Sequence, residues 1–211
     1  PQVAFHLLCS QAVLKKRRLS TFDCKTAFLT GKEHDREIYC RPPKEGLKGV
    51  PEGSLLQLVK GAYGLREAPR LWYLKAREIL IEAGFEEMQT AKACFVLIDR
   101  TGKEPRNIGM LVLHVDDAAY AGEGPMFEKA MQHLRTKFTI GKETSDEFEF
   151  LGRHVVQHAD YSIEIDQHSY VKALERVHIS RERRSKSKEK LTEKELHDYR
   201  SLVGQLAWPA R

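Results

Sequence analysis

Three aspartates carry the strongest chemical signal in this sequence. Asp116 and Asp117 stand side by side in the otherwise apolar run LVLHVDDAAYAG, and Asp23 lies near the end of the strand-like segment LSTFDC. A carboxylate that leaves water needs a partner, and a neighbouring carboxylate makes its ionisation more costly. The pair therefore marks either a solvated hairpin tip, which suits aspartate, or the binding site of a strongly positive ligand.

The three carboxylates come together if the strand carrying Asp23 lies beside the hairpin carrying Asp116 in one sheet. Such a cluster stays ionised when it holds divalent cations, and hard oxygen ligands favour Mg²⁺ or Mn²⁺, with phosphate and water oxygens completing the coordination. Two ions about 3.5–4 Å apart are the arrangement that suits in-line displacement at phosphorus. The spacing of these aspartates is compatible with two-metal phosphoryl transfer, but an aspartate pair taken alone is more often an ordinary turn.

Composition restricts the remaining possibilities. The 211 residues are 41% hydrophobic and 31% charged, which is typical of a globular protein with a buried core. The net charge of +5 is a mild indication of a polyanionic partner. The four cysteines are scattered without a C-x-x-C pair, which favours free thiols in a reducing compartment. No signal peptide opens the chain, and no apolar run approaches the roughly 18 residues of a membrane span.

His154 and His158 fall in a predicted strand, where i and i+4 positions stand about 13 Å apart, so a metal hydrolase is not supported.

Hydrophobic periodicity predicts interleaved helices and strands. Helices are expected over residues 2–18, 69–83, 125–138, 167–178 and from Thr192 to before Pro209. Strands are expected at LSTFDC, EIYC, LLQLVKG, CFVLID, NIGMLVLHV, AAYAG, FEFLGRHVV and YSIEID. The charged run SRERRSKSKEK reads as a solvated linker, with a phosphate-contacting arm as the alternative. This order predicts an α+β domain with a largely antiparallel sheet and helices on one face.

Five motifs in order connect these elements to a known family. FDCKTAFLTG, IYCRPP, LVKGAYGLREAPRLWY, HVDD and FEFLGRHV resemble the motifs of the reverse transcriptase of copia-type LTR retrotransposons, over residues 20–211. The resemblance implies a polymerase palm with a ferredoxin- or RRM-like antiparallel sheet, partial fingers and a partial thumb. Residues 1–22 would be a remnant of the fingers, and residues 23–166 the palm with a fingers insertion at about 32–66. Residues 167–211 would begin the thumb or connection segment.

The same resemblance assigns roles to individual residues. Asp23, Asp116 and Asp117 would be the catalytic residues and would bind two Mg²⁺ or Mn²⁺ ions. The implied dNTP-binding residues are Cys24, Lys25, Thr26, Ala27, Phe28 and Arg66. The backbone amides of residues 24–28 would face the incoming triphosphate and form an anion nest. The implied template or primer contacts are Gly64, Arg70, His114, Phe150, Leu151 and Gly152.

Some of these residues have a second interpretation. Phe28 matches the aromatic residue that crowds the sugar 2′ position, but it also suits a hydrophobic core. Lys137 and Lys142 fall where the family carries a lysine near the leaving pyrophosphate, yet each also suits a solvated surface. His114 replaces the usual tyrosine, and Glu67 replaces the usual glutamine, placing a carboxylate where phosphates would repel it.

The implied activity is that of an RNA-directed DNA polymerase. Its partners would be an RNA or DNA template-primer, dNTPs, and the ribonuclease H and integrase regions of the same polyprotein. The expected location is a cytoplasmic virus-like particle or the nucleus, without secretion or membrane insertion. Two alternatives remain: a truncated or decayed relic that binds nucleic acid without polymerising, and a small RRM-like RNA-binding module.

Overall fold

The structure is a computed structural model that describes residues 2–186 and 188–208. Its helices are α1 (Gln2–Lys15), α2 (Ala68–Glu82), α3 (Pro125–Lys137), α4 (His168–Lys172), α5 (Arg181–Ser185) and α6 (Glu193–Ala207), with a short 3₁₀ helix at Ala27–Thr30. Its strands are β1 (Leu19–Cys24), β2 (Tyr39–Cys40), β3 (Leu56–Gln57), β4 (Glu86–Glu87), β5 (Cys94–Asp99), β6 (Arg106–His114), β7 (Asp117–Gly122), β8 (Ile140–Ser145), β9 (Glu147–Phe150), β10 (Arg153–Gln157) and β11 (Ile163–Asp166). The chain is therefore a mixed α+β protein, as its periodicity predicted.

A six-stranded sheet is the centre of the fold. Its strand order is β4-β5-β6-β7-β1-β8, and each neighbouring pair is antiparallel. Most residues of β1, β6 and β7 are buried, and burial on both faces explains the apolar runs IGMLVL in β6 and AAYA in β7. Two smaller sheets have the orders β11-β10-β9 and β2-β3. The expected antiparallel sheet is thus present, with β1 placed between β7 and β8.

Helices cover both faces of the large sheet. On one face, α2 and α3 pack on a core that includes Phe22, Leu111 and Tyr120. The alternate strand residues Val112 and Ala119 are also buried but lie outside that core, and α1 contacts β6 and β7. Because successive strand residues point to opposite faces, α1 covers the second face. The prediction that helices lie on one face only was therefore wrong, because α1 has an apolar side of its own.

Three local predictions also need correction. β8 was not predicted, since its sequence IGKETS is polar and contains a glycine. The helix expected over residues 167–178 is limited to His168–Lys172. The charged run is not a simple linker, because it contains α5, and the Arg183 side chain donates to the backbone oxygens of Lys186, Glu189 and Lys190. By contrast, the capping box of Thr192 and Glu195 is present at the start of α6.

The chain divides into two compact units. The first extends to Leu151 and includes Val155–Glu164, and the second combines Gly152–His154 with the residues from Ile165 onward. The first unit holds the six-stranded sheet and all three aspartates identified in the sequence. The segment 32–66 within it is largely irregular, with only the short β2-β3 pair and a bridge between Glu33 and Lys60.

Candidate active site

The antiparallel pairing of β1 with β7 brings the distant aspartates together. Asp23 is the direct cross-strand partner of Asp117. Side chains of directly opposed residues lie on the same face of a sheet, with Cβ atoms roughly 4.5–5.5 Å apart. Asp116 occupies the turn that immediately precedes Asp117. The structure therefore gathers the three carboxylates that the sequence singled out.

A two-residue turn at Val115 and Asp116 closes the hairpin of β6 and β7. Val115 has a φ of 55°, a backbone conformation that is unusual for a β-branched residue. Its carbonyl accepts a 2.5 Å hydrogen bond from the Trp72 indole, and the Asp116 carbonyl accepts a 2.7 Å bond from the Cys24 amide. Such strained positions persist only where the surroundings enforce them, and they cluster at functional sites. The tip is thus held from two sides, by α2 and by β1.

The aspartates create a strongly negative local field. Burial raises the pKa of Asp117, the charge of Asp116 raises it further, and Asp23 adds to the effect while His114 opposes it. Burial and the three aspartates raise the pKa of the adjacent Cys24 thiol to about 12. Cys24 is therefore a protonated thiol at neutral pH. A cation near these carboxylates would relieve the repulsion between them.

Sequence reasoning missed a contact that β8 makes with Asp23. The Lys142 amide donates a hydrogen bond to Oδ1 of Asp23. Gly141 is packed so closely that a Cβ atom there would lie 2.9 Å from Cγ of Asp23. Of the two lysines considered from the sequence, Lys142 thus has its backbone at the site, whereas Lys137 ends α3. A glycine beside a lysine in a polar segment gives no recognisable signal, so this contact could not be predicted.

The turn after Asp23 differs in part from the expected anion nest. The Cys24 amide donates to Asp116 and the Lys25 amide donates to Thr139, at 2.7 and 2.8 Å. These two amides are therefore committed to the fold, and the expectation that they face a triphosphate was wrong. The candidate nest is confined to the segment 26–28. Ala27 is buried there, while Lys25 and Thr26 are exposed, with Thr26 at a φ of 53°.

Phe28 is half-buried rather than enclosed in the core. Its ring contacts the Tyr63 ring edge-on, with centroids 5.1 Å apart. A Cβ atom on Gly61 would lie 2.8 Å from the Phe28 carbonyl oxygen, so the absence of a side chain there lets the two segments meet. The Phe28 side chain is therefore partly exposed, close in sequence to the end of β1, the strand that carries Asp23.

The segment that leads into α2 is exposed and basic. Arg66 and Arg70 are exposed, and within the described residues neither has a carboxylate partner. Gly64 has a φ of 92°, which requires glycine, and open space surrounds its Cα. Glu67, which was expected to repel phosphate, forms a 2.5 Å ion pair with Arg36. Arg36 is exposed, and the other oxygen of Glu67, Oε2, is buried without a hydrogen-bond partner, so the pair offsets only part of this charge.

The remaining predicted contacts have different environments. His114 is half-buried and is the cross-strand partner of Asp117, so it lies at the site. Phe150 is only 1% exposed, and its ring packs on Phe5 with centroids 4.8 Å apart. Its side chain therefore serves the core and cannot make the contact expected of it. Leu151 and Gly152 have φ values of 55° and 68° and form the turn between β9 and β10.

The donor set suits a hard divalent cation. It consists of carboxylate oxygens, and the pKa of Asp117 is raised first by burial and then by the charge of Asp116, which a cation would offset. Within residues 2–186 and 188–208, no three His, Cys, Asp or Glu side chains are grouped as a site that could hold a metal ion. In proteins, Mg²⁺ usually takes one or two carboxylates and completes its coordination with substrate phosphates and water.

Comparison with known proteins identifies the class to which this fold and site belong. The profile of the family described as reverse transcriptase (RNA-dependent DNA polymerase) matches residues 3–182. Since the match spans most of the chain, the chain belongs to this reverse transcriptase family. The resemblance predicted from the five motifs is therefore confirmed.

The similar proteins narrow the family to copia-type elements. The Pol polyprotein from transposon RE2 of Arabidopsis thaliana is 29% identical over 150 residues, which is 71% of this chain and 10% of that protein. The Pol polyprotein from transposon TNT 1-94 of Nicotiana tabacum is 28% identical over 160 residues, or 74% of this chain and 12% of that protein. A putative transposon Ty5-1 protein of Saccharomyces cerevisiae is 26% identical over 200 residues, or 89% of this chain and 63% of that protein. The chain spans about a tenth of the length of the two plant polyproteins.

A solved structure also aligns with part of this chain. Apo telomerase from Candida tropicalis, truncated from its C-terminal domain, aligns with a TM-score of 0.41 at 12% identity. The alignment covers 78% of this chain and 40% of that chain. Separately, no helix within the described residues has the length and apolar character needed to cross a membrane.

Proposed function

We propose that this chain is the palm-centred part of an RNA-directed DNA polymerase. The primer 3′-hydroxyl attacks the α-phosphorus of a dNTP, a new phosphodiester bond forms, and the bond to pyrophosphate breaks. The observation that carries the proposal is the cross-strand pairing of Asp23 with Asp117 beside Asp116. Family membership supports it, because the matching family is described as reverse transcriptase (RNA-dependent DNA polymerase).

Asp23 and Asp116 would hold two Mg²⁺ or Mn²⁺ ions, with Asp117 in support. When bound, such ions activate the attacking oxygen and neutralise charge on the triphosphate. The protein's own contribution is to hold the carboxylates in place before substrate arrives. Trp72 and the Cys24 amide do this for the hairpin tip, through their bonds to the backbone of Val115 and Asp116.

The surrounding residues would bind and orient the substrates. Arg66, Lys25 and Thr26 are exposed on the segments that flank the aspartates and would contact the triphosphate. Arg70, Gly64 and His114 would contact the template or primer, together with the turn at residues 151–152. Phe28 would limit the space at the sugar 2′ position and so favour deoxynucleotides.

We propose the wider setting by analogy with Pol polyproteins, to which this chain is similar. The segment 32–66 would be a fingers insertion and the residues from 167 onward the start of a thumb. The partners would be a template-primer, dNTPs, and ribonuclease H and integrase regions of the same polyprotein. Such a protein would act in a cytoplasmic virus-like particle or in the nucleus.

Primer extension on poly(rA)/oligo(dT) with Mg²⁺ or Mn²⁺ tests the proposal. The wild-type chain should extend the primer, and the Asp116→Asn, Asp117→Asn double variant should not. Primer-template binding by both proteins, measured by fluorescence anisotropy, controls for misfolding. If both bind equally and neither extends, the chain is a relic that binds nucleic acid, and the polymerase proposal fails.

A further inference from the structure

β8 carries one extra residue at the point where it passes Asp23. In the pairing of β1 with β8, Phe22 is opposite Glu143, whereas Cys24 is opposite Ile140. Asp23 therefore faces two residues, Gly141 and Lys142. This two-against-one pairing is a β-bulge, a feature that often re-aims a side chain next to an active site.

The bulge supplies both the room and the hydrogen-bond donor that the Asp23 carboxylate uses. A Cβ atom at position 141 would lie 2.9 Å from both Cγ and Oδ1 of Asp23, closer than real Cβ contacts allow. The backbone N–H of Lys142 donates to Oδ1. Any side chain at position 141 would therefore displace the carboxylate and break this bond.

The bulge is anchored on both sides. Immediately after it, the Glu143 carboxylate accepts hydrogen bonds from the Tyr120 hydroxyl and from Arg135, whose Nη2 lies 2.8 Å away. Immediately before it, the Thr139 carbonyl accepts a 2.8 Å bond from the Lys25 amide. β8 is an exposed edge strand, so these contacts, rather than burial, hold it in register.

We propose that the Gly141–Lys142 bulge is a positioning element for the Asp23 carboxylate. The Lys142 amide fixes one oxygen and the plane of the carboxylate, leaving the remaining lone pairs for the ion that Asp23 would bind. Hydrogen bonds of this kind orient metal-binding carboxylates and contribute about 10–100-fold to affinity or activity. Gly141 is the position where this arrangement excludes every side chain. The expected effect on catalysis rests on the proposed function. The hydrogen bond between the Lys142 amide and Asp23 rests on the geometry alone.

Two pairs of variants test the role of the bulge. Gly141→Ala inserts the colliding methyl group, and Gly102→Ala adds the same group where the nearest atom is 3.8 Å away. Lys142→Pro removes the backbone N–H together with the lysine side chain. Lys142→Ala also removes most of the side chain but keeps the N–H, so it is the matched control. Proline is tolerated on edge strands, so the second pair covers the case in which Gly141→Ala does not fold.

The first measurement is made without metal or substrate. Hydrogen exchange of the Lys142 amide should be slow in the wild type and in Gly102→Ala, and faster in Gly141→Ala and in Asp23→Ala. Equal exchange in wild type and Asp23→Ala would show that the bond does not form and would overturn the proposal. This comparison remains decisive even if the wild type extends no primer, an outcome that would count against the proposed function alone.

The second measurement is the Mg²⁺ dependence of primer extension. Gly141→Ala compared with Gly102→Ala, and Lys142→Pro compared with Lys142→Ala, should each lower kcat or raise the Mg²⁺ midpoint by about 10–100-fold. The KM for template-primer should stay within a few-fold in each pair. Unchanged kcat and Mg²⁺ midpoint, or a lower midpoint in Gly141→Ala, would mean that the bulge does not orient the carboxylate for catalysis.

Discussion

The Phe28 ring has two possible roles, exclusion of a sugar 2′-hydroxyl and hydrophobic packing, and a substitution separates them. The ring is half-buried against Tyr63, and the turn that carries it follows Asp23 directly. If it excludes a 2′-hydroxyl, Phe28→Ala should raise incorporation of ribonucleotides relative to deoxynucleotides by at least tenfold. Single-nucleotide extension with dTTP and UTP on poly(rA)/oligo(dT) measures this ratio.

Tyr63→Ala is the matched control for Phe28→Ala, because it removes the ring that packs on Phe28 while leaving Phe28 in place. It should change the ratio much less. An equal loss of discrimination in both variants, or none in Phe28→Ala, would assign Phe28 to packing alone.

Glu87 is a buried carboxylate whose ionisation is coupled to folding. Burial opposes its ionisation, but hydrogen bonds from Tyr73, Arg77 and the Ala93 amide outweigh burial and lower its pKa. A lowered pKa stabilises the folded state above the unfolded pKa, and this stabilisation disappears as pH falls through the folded pKa. Glu87→Gln should therefore cost about 1–3 kcal/mol at pH 7 and progressively less below about pH 4.5.

Urea unfolding of the wild type and Glu87→Gln between pH 7 and pH 3 measures this coupling. Glu86→Gln is the control, because Glu86 pairs with Arg100 on the surface and is half-exposed. Its effect should be small at every pH. A difference between wild type and Glu87→Gln that does not shrink in acid would show that charge is not the source of the stabilisation.

At the level of elements, periodicity predicted the parts of the site that are built from buried strands. LSTFDC and NIGMLVLHV have recognisable strand patterns, and β7, with which both pair, follows the Val115–Asp116 turn. β8 has no such signal, because only Ile140 and Thr144 are half-buried while the rest of the strand is exposed. The strand exists through backbone pairing with β1 and through the Glu143 network, and neither can be read from local sequence. The contact of β8 with Asp23, through Gly141 and Lys142, was missed for this reason.

In the charged run SRERRSKSKEK, the Arg183 side chain makes most of the contacts described for the segment. Arg183 pairs with Glu195, and its Nη1 donates a 2.6 Å bond to the Lys186 carbonyl. Its side chain is 22% exposed, in contrast to the exposed neighbour Arg184. Removing Arg183 should therefore loosen the segment 181–191 without affecting the six-stranded sheet.

Limited proteolysis by a glutamate-specific protease measures this loosening, because arginine variants leave its cleavage sites intact. Arg183→Ala should speed cleavage after Glu182 and Glu189 at least several-fold, whereas Arg184→Ala should leave the rate close to that of the wild type. Similar rates for both variants would mean that the segment is already open in the native protein.

At the level of the whole molecule, the charge balance bears on nucleic-acid binding. The net charge is +5, and Arg66 and Arg70 have no carboxylate partner within the described part of the chain. Each neutralised phosphate releases counterions, so affinity falls with salt. Raising the salt from 50 to 200 mM should weaken primer-template binding by roughly tenfold or more, as measured by fluorescence anisotropy.

Arg66→Gln and Arg70→Gln should reduce the slope of log Kd against log salt, while Arg100→Gln, whose partner is Glu86, should not. A slope that is the same in all three variants would place the nucleic acid on a different surface.

The sheet order has a consequence for the time course of synthesis. β1 leaves the ribosome before its partners β7 and β8, which follow about a hundred residues later in the chain. Translation at about 5–20 residues per second leaves this apolar strand unpaired for several seconds. During that interval LSTFDC is an unpaired strand, and an unpaired strand edge can pair with another chain. The carboxylates of the site therefore meet only after most of the first unit has been made.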